Sequence, residues 1–191
     1  MPDWMSEHLD DHIRTARGVA TLLPAARAVG ELLCDRFASG GVLYTLGNGG
    51  SAADAQHLSG EMIGRYKRDR RPLPAVTLST DPTVLTCTAN DFDFADVFSR
   101  QLAALVRPGD VVAAFTTSGR SANVVQALCT ARQRGATTVL FGGGDGGPAA
   151  AHADHQLLVP ATATARIQEL HTFLLHAVSE LVDAWAAGEA A

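Results

Sequence analysis

Val42-Leu43-Tyr44-Thr45-Leu46-Gly47-Asn48-Gly49-Gly50-Ser51 is a short apolar run that stops in a glycine cluster. A run of this length with no polar alternation is predicted to be a fully buried strand, and the glycines after it a tight turn into a helix. Outward from this unit the same alternation repeats. Strands are predicted at 42–46, 74–79, 111–116, 137–141 and 155–159, with helical segments over 52–66, 82–88, 93–106, 121–134, 148–152 and 164–186. Strands that alternate with helices form parallel sheets, so the fold class is α/β: a five-stranded parallel sheet sandwiched by helices, Rossmann-like. Two helices precede it, over 4–20 and 25–38. Leu9, Ile13, Ala16, Ala20 and Leu23 give an apolar stripe, Pro24 suits a break or a first helical turn, and Ser39-Gly40-Gly41 closes the second helix. No internal repeat or linker interrupts the chain. The expectation is a single domain over 1–191, with an N-terminal helical hairpin (1–40) and an α/β core (41–187).

Composition excludes several chemistries. With 47% apolar and 18% charged residues, the 191-residue chain has the makeup of a folded domain. Lys67 is the only lysine among 15 Lys and Arg, and it sits in a charged run, which speaks against Schiff-base chemistry. The net charge of −5 argues against a nucleic-acid binder, and the basic run Arg65–Arg71 is short and interrupted by Asp69. Cys34, Cys87 and Cys129 have neither metal-type nor disulfide-type spacing and fit a reducing, cytoplasmic setting. Met1–Asp11 is acidic without an apolar core, and no long apolar stretch exists, so neither a targeting signal nor a membrane span is expected. The alanine-rich tail after Trp185 is expected to fray.

In parallel sheets ligands sit beyond the carboxyl ends of the strands, so the loops there are informative. Gly47–Ser51 has the glycines that let a backbone approach a ligand, at the start of a helix with free N–H groups, but it is neither a G-x-G-x-x-G nor a Walker loop. A plain strand-to-helix turn accounts for it equally well. Thr116-Thr117-Ser118-Gly119-Arg120-Ser121 puts four hydroxyls in six residues at a helix start. One helix cap needs one hydroxyl; four fit a phosphate, to which hydroxyls, backbone N–H groups and the helix dipole all contribute.

A third group lies on helices. His57 and Glu61 are spaced i, i+4 and share one face; Gln168 and His176 on the last helix are eight apart and can look toward one cavity. Together they offer nitrogen and oxygen donors for zinc or another divalent ion. Singly, His57 and Glu61 also fit an ordinary surface pair, and His176 a satisfied core histidine. Asn90-Asp91 and Asp145-Gly146-Gly147 read first as turns.

These motifs, in this order, resemble the sugar isomerase (SIS) fold and, within it, the phosphoheptose isomerases. Leu46–Ser51 with Ala52–His57 and Glu61, Thr116–Ser121, Arg166-Ile167-Gln168-Glu169 and His176 carry the resemblance, joined by Gly64-Arg65-Tyr66, Leu73-Pro74-Ala75, Ala89-Asn90-Asp91, Val97–Gln101 and Pro108–Val111. It runs from about residue 5 to residue 184. It implies isomerisation of sedoheptulose 7-phosphate to D-glycero-D-manno-heptose 7-phosphate, the first step toward nucleotide-activated heptose, by a homotetramer with active sites at subunit contacts. The N-terminal hairpin would serve that packing. By the match, Ser51, Thr116, Thr117, Ser118 and Ser121 hold the phosphate; Asn48, Gly49, Gly50, Asn90 and Asp91 line the sugar pocket; His57, Glu61, Gln168 and His176 bind one zinc ion. Glu61 and His176 are the acid/base pair that moves a proton between C1 and C2 through an enediol.

Two positions depart from the family's pattern. Arg120 stands where Asn is common, and Gly142–Asp145 is unusually rich in glycine. Three other readings compete. A relative that binds the replication initiator shares the fold but lacks the His, Glu and His kept here at 57, 61 and 176. Sugar-phosphate-sensing regulators of this fold add a helix-turn-helix domain, for which 191 residues leave no room. An isomerase of another sugar phosphate, in a secondary-metabolite pathway, keeps the same residues.

Overall fold

The computed structural model describes residues 3–189. Five strands form one sheet in the order β2-β1-β3-β4-β5: β1 (Leu43–Gly47), β2 (Ala75–Thr77), β3 (Val111–Phe115), β4 (Thr137–Gly143) and β5 (His155–Val159). Every pairing is parallel. The helices are α1 (Trp4–Gly18), α2 (Leu23–Ala38), α3 (Gly50–Ile63), α4 (Pro82–Asp91), α5 (Ser99–Leu105), α6 (Ala122–Gln133), α7 (Gly147–Ala150) and α8 (Thr164–Ala186). The α/β sandwich expected from the alternation is the observed one.

Strand side chains alternate between two separate cores. Val111, Ala113, Phe115, Val139 and Phe141 face a layer built by α2, α3 and α8. Val112, Ala114 and Leu140 face Phe98, Leu102, Val124 and Leu128 from α5, α6 and the turn before α5. Both faces of each central strand are therefore buried, which is why those strands read as unbroken apolar runs. Val29, Leu33 and Phe37 of α2 belong to the first core, where α2 packs on α8; α1 reaches that core with Ala16 and leaves Trp4, Met5, Leu9 and Ile13 exposed.

Several boundaries move for identifiable reasons. The first predicted helix ends at Gly18 and continues as a 3-10 turn over Val19–Leu22, so Pro24 falls in the first turn of α2. Helix α3 stops at Ile63, short of residue 66. The segment predicted at 93–106 splits into a 3-10 turn, Phe94–Asp96, and α5. β4 extends through Gly142 and Gly143, which pair with Leu158 and Val159 of β5 instead of starting a loop. A side chain at Gly143 would strike Ile167 of α8 and come within 2.7 Å of the Thr117 carbonyl, so glycine there marks close packing within a strand. The tail is ordered as far as Glu189: Gly188 donates to the Trp185 carbonyl and Glu189 to that of Ala184, a Schellman turn. Met1, Pro2, Ala190 and Ala191 lie outside the described residues.

β1 pairs with β2 on one side and β3 on the other, so the connections leave in opposite directions at this point. The crevice beyond β1 and β3 is the topological switch point, where open parallel sheets bind ligands. Both loops singled out in the sequence end there.

Candidate functional site

Three helix N-termini converge on that crevice. α3, α6 and α8 begin at Gly50, Ala122 and Thr164, and none of them has a side-chain cap. By contrast, Asp3 caps α1 and Asp81 caps α4. Helix N-termini carry partial positive charge and leave first-turn N–H groups without a full set of partners, so three at one crevice suit an anion without a basic side chain. A cavity of about 320 Å³ lies between them, lined by Asn48, Gly49, Gly50, Ser51, Phe115, Thr116, Thr117, Ser118, Ser121, Thr164 and Gln168. A larger groove of about 750 Å³ lies elsewhere, between α2 and α8, and none of the candidate site residues lines it.

The hydroxyls divide the work. Thr116 Oγ1 accepts from the Gly119 N–H at 3.2 Å and Ser118 Oγ from the Arg120 N–H at 3.2 Å, so both shape the loop while keeping an O–H to donate. Ser51, Thr117 and Ser121 make no side-chain hydrogen bond among the described residues, which leaves them free for a ligand. Gly119 has φ +63°, and a side chain there would strike the Gly146 backbone. Ala149 donates back to the Gly119 carbonyl at 3.0 Å. The glycine-rich loop after β4 is thus the rigid backing of the hydroxyl loop. Arg120 points away, its side chain 66% exposed and 4.0 Å from Asp145 Oδ2.

Not every expected residue arrives with its side chain. Asn48 and Asn123 exchange two amide hydrogen bonds of 2.9 Å, so Asn48 offers the cavity mainly backbone. Asn90 and Asp91 are exposed at the end of α4, bonded to each other at 2.8 Å, and do not line the cavity of their own chain. Gln168 lies directly over Gly50: a Cβ there would sit 2.6 Å from Gln168 Nε2. Thr164 also lines the cavity, and its only signal in the sequence is a hydroxyl at the start of the last helix.

Deeper along α3 and α8, His57, Glu61 and His176 meet. Their ligand atoms all lie within 4.8 Å of one another. His57 Nε2 is 3.0 Å from Glu61 Oε1 and 3.2 Å from His176 Nε2. Two imidazole nitrogens and a carboxylate oxygen are a donor set zinc takes, and 3.2 Å is close to the edge, about 3.3 Å, of a tetrahedron with the usual zinc–nitrogen distance. The residues present therefore fit a divalent ion. Tyr66 stacks on His176, ring centroids 5.3 Å apart at 29°. Burial, and then the neighbouring His57, push the His176 pKa down, keeping a nitrogen lone pair available. Asp54, one turn before His57, accepts from Thr172 Oγ1 at 3.0 Å; burial raises its pKa and its second oxygen has no partner. Among the described residues no helix is long and apolar enough to cross a membrane.

A parallel α/β sheet with a hydroxyl-lined cavity at its switch point, beside a His–Glu–His cluster, is the setting in which the SIS domain family profile matches residues 10–143, and that match makes the chain an SIS domain protein. The chain is 45% identical over 186 residues to the phosphoheptose isomerase of Paramagnetospirillum magneticum, covering 96% of each. It superposes on the phosphoheptose isomerase GmhA of Neisseria gonorrhoeae with a TM-score of 0.90 at 39% identity, covering 95% of this chain and 98% of that one. A phosphoheptose isomerase of Francisella tularensis gives a TM-score of 0.92 at 29% identity, over 95% and 97%. The chain belongs to the phosphoheptose isomerase family.

Proposed function

We propose that this chain isomerises sedoheptulose 7-phosphate to D-glycero-D-manno-heptose 7-phosphate. The observation that carries the reading is the placing of the His57–Glu61–His176 cluster further along the same two helices whose N-termini frame the anion cavity. A phosphate held at the cavity and a carbonyl at the cluster call for an extended sugar, as a heptose is. The similarity to phosphoheptose isomerases over nearly the whole chain supports the same substrate.

The phosphate is held by Ser51, Thr116, Thr117, Ser118 and Ser121 with the N-termini of α3, α6 and α8. Gly49, Gly50 and the Asn48 backbone let the sugar lie close to β1. Asn90 and Asp91 complete the sugar pocket from an adjoining subunit, where their exposure leaves them free to point. Glu61 and His176 take a proton from C1 and return one to C2 through an enediol. Each approaches from a different helix, so the two carbons are reached from two sides. Zinc, held by His57, Glu61, Gln168 and His176, supplies when bound a Lewis acid for the oxygen on which charge develops.

The homotetramer is part of the proposal. Trp4, Met5, Leu9 and Ile13 on the free face of α1 and the apolar groove between α2 and α8 are unpartnered in one chain. Cys34, Cys87 and Cys129 are all free, in keeping with a cytoplasmic enzyme. The testing experiment is incubation with sedoheptulose 7-phosphate, with zinc and with chelator, followed by NMR. No product under any metal condition refutes the heptose reading. Multi-angle light scattering checks the tetramer.

A further inference from the structure

A buried ion pair behind the reaction residues links their two helices. After α3 the chain runs irregularly from 64 to 74 before β2, and its first part wraps onto Asp183 of α8. Asp183 is fully buried. Its Oδ2 accepts from the backbone N–H groups of Lys67 (3.0 Å) and Arg68 (2.7 Å), and its Oδ1 from that of Tyr66 (3.3 Å) and from Arg70 Nε (3.0 Å). Burial alone would raise the Asp183 pKa. The N–H donors of Arg68, Lys67 and Tyr66 and the Arg70 side chain outweigh it and hold the group ionised.

Arg70 faces two ways. Its side chain is 1% exposed. While Nε meets Asp183, Nη1 donates to the Met62 carbonyl at 2.7 Å and Nη2 to the Glu61 carbonyl. These carbonyls lie in the last turn of α3, where no intrahelical donor remains for them. Asp183 follows His176 by seven residues, two helical turns, and so lies on the same face of α8. One carboxylate–guanidinium pair therefore joins the backbone of Glu61 to the helix of His176, and the same carboxylate fixes Tyr66, whose ring stacks on His176.

We propose that Asp183 and Arg70 are positioning residues of the isomerase, setting the separation of Glu61 from His176 and pressing Tyr66 against the His176 ring. This rests on the function proposed above. A buried ion pair is by itself weak evidence of a role in stability, but an apolar replacement here would also leave three backbone N–H groups without their acceptor, so function must be read per folded molecule. Neither residue touches the phosphate cavity.

The test pairs Asp183→Asn with the double variant Asp183→Leu/Arg70→Met, which removes both charges together. The expected result is a fall in kcat of about ten- to a hundredfold, the scale of a misplacement near 1 Å, with KM for sedoheptulose 7-phosphate within about twofold of wild type. Zinc affinity, read by competition with a chromophoric chelator, should fall about tenfold or more in both. The zinc measurement separates the two proposals. If wild-type protein shows no turnover, the substrate reading fails, while the zinc affinities still decide the role of the pair. Wild-type kcat and zinc affinity in the double variant overturn the proposal, as does a fall in kcat that disappears when the rate is expressed per folded molecule, counted by circular dichroism. Should neither variant fold, Arg70→Lys decides it: lysine keeps the charge opposite Asp183 but cannot also reach the Glu61 and Met62 carbonyls, so unchanged kcat and zinc affinity overturn the proposal and a loss in both supports it.

Discussion

His171 gives the most exposed test of how the core is wired to the site. It is completely buried on α8, edge-on to Phe115 and Phe141, with Nε2 3.0 Å from the Gly142 carbonyl. A carbonyl only accepts, so Nε2 carries the proton and Nδ1 is left bare and without a partner. A second proton would be placed on a buried nitrogen with no acceptor. Burial accordingly lowers the pKa to about 4 from 6.5. The unfolded chain binds this proton near pH 6.5 and the folded chain only near 4, so between those values the unfolded state holds more protons and stability falls as pH falls. One pKa unit is about 1.4 kcal/mol, which makes the loss from this group about 2 kcal/mol between pH 7 and pH 5, approaching 3 kcal/mol below pH 4. His171→Gln keeps a donor for Gly142 but cannot titrate in this range. Urea unfolding at pH 7 and pH 5, with chelator and at one protein concentration, should show the wild type losing about 2 kcal/mol more than the variant over that interval. Parallel losses in the two proteins would refute the reasoning, because every other titrating group is common to both.

Three further outcomes are expected. Gly50→Ala drives a methyl against the Gln168 amide and should lower kcat/KM about ten- to a hundredfold with little change in Tm; unchanged kinetics would remove Gln168 from the site. Gly119→Ala forces a side chain into left-handed backbone and against Gly146, costing on the order of 1–2 kcal/mol or more and raising KM through the phosphate loop; thermal melts and a substrate titration read both effects. His57→Ala should purify with less zinc than wild type by elemental analysis, and chelated wild type should regain turnover on adding zinc; equal zinc content would take His57 out of the ligand set.

The strands and the two ligand loops were readable because each announces itself locally. Buried parallel strands need no alternation, and glycines and hydroxyls punctuate their carboxyl ends. His57 with Glu61 was readable from helical spacing, and the last helix from its apolar period. What escaped depends on partners distant in the chain. Asp183 and Arg70 are 113 residues apart, and Asn48 and Asn123 are 75 apart, so neither the pair that ends α3 nor the amide exchange that occupies Asn48 has a local signature. Gly142 and Gly143 looked like loop because glycine usually is. Here their missing side chains make room for Leu158 and Ile167. The exposure of Asn90 and Asp91 depends on what lies beside them, which no spacing within one chain encodes.

α8 follows every other element in sequence, yet it brings Gln168, His171, His176 and Asp183. A chain emerging from the ribosome therefore presents both ligand loops and α3 before the helix that finishes them exists. Until α8 arrives, Val111, Ala113, Phe115, Val139 and Phe141 lack the cover that Leu170, Leu174, Leu175 and Val178 provide. During that interval one face of the sheet lies open, apolar surface of the kind a holdase chaperone binds.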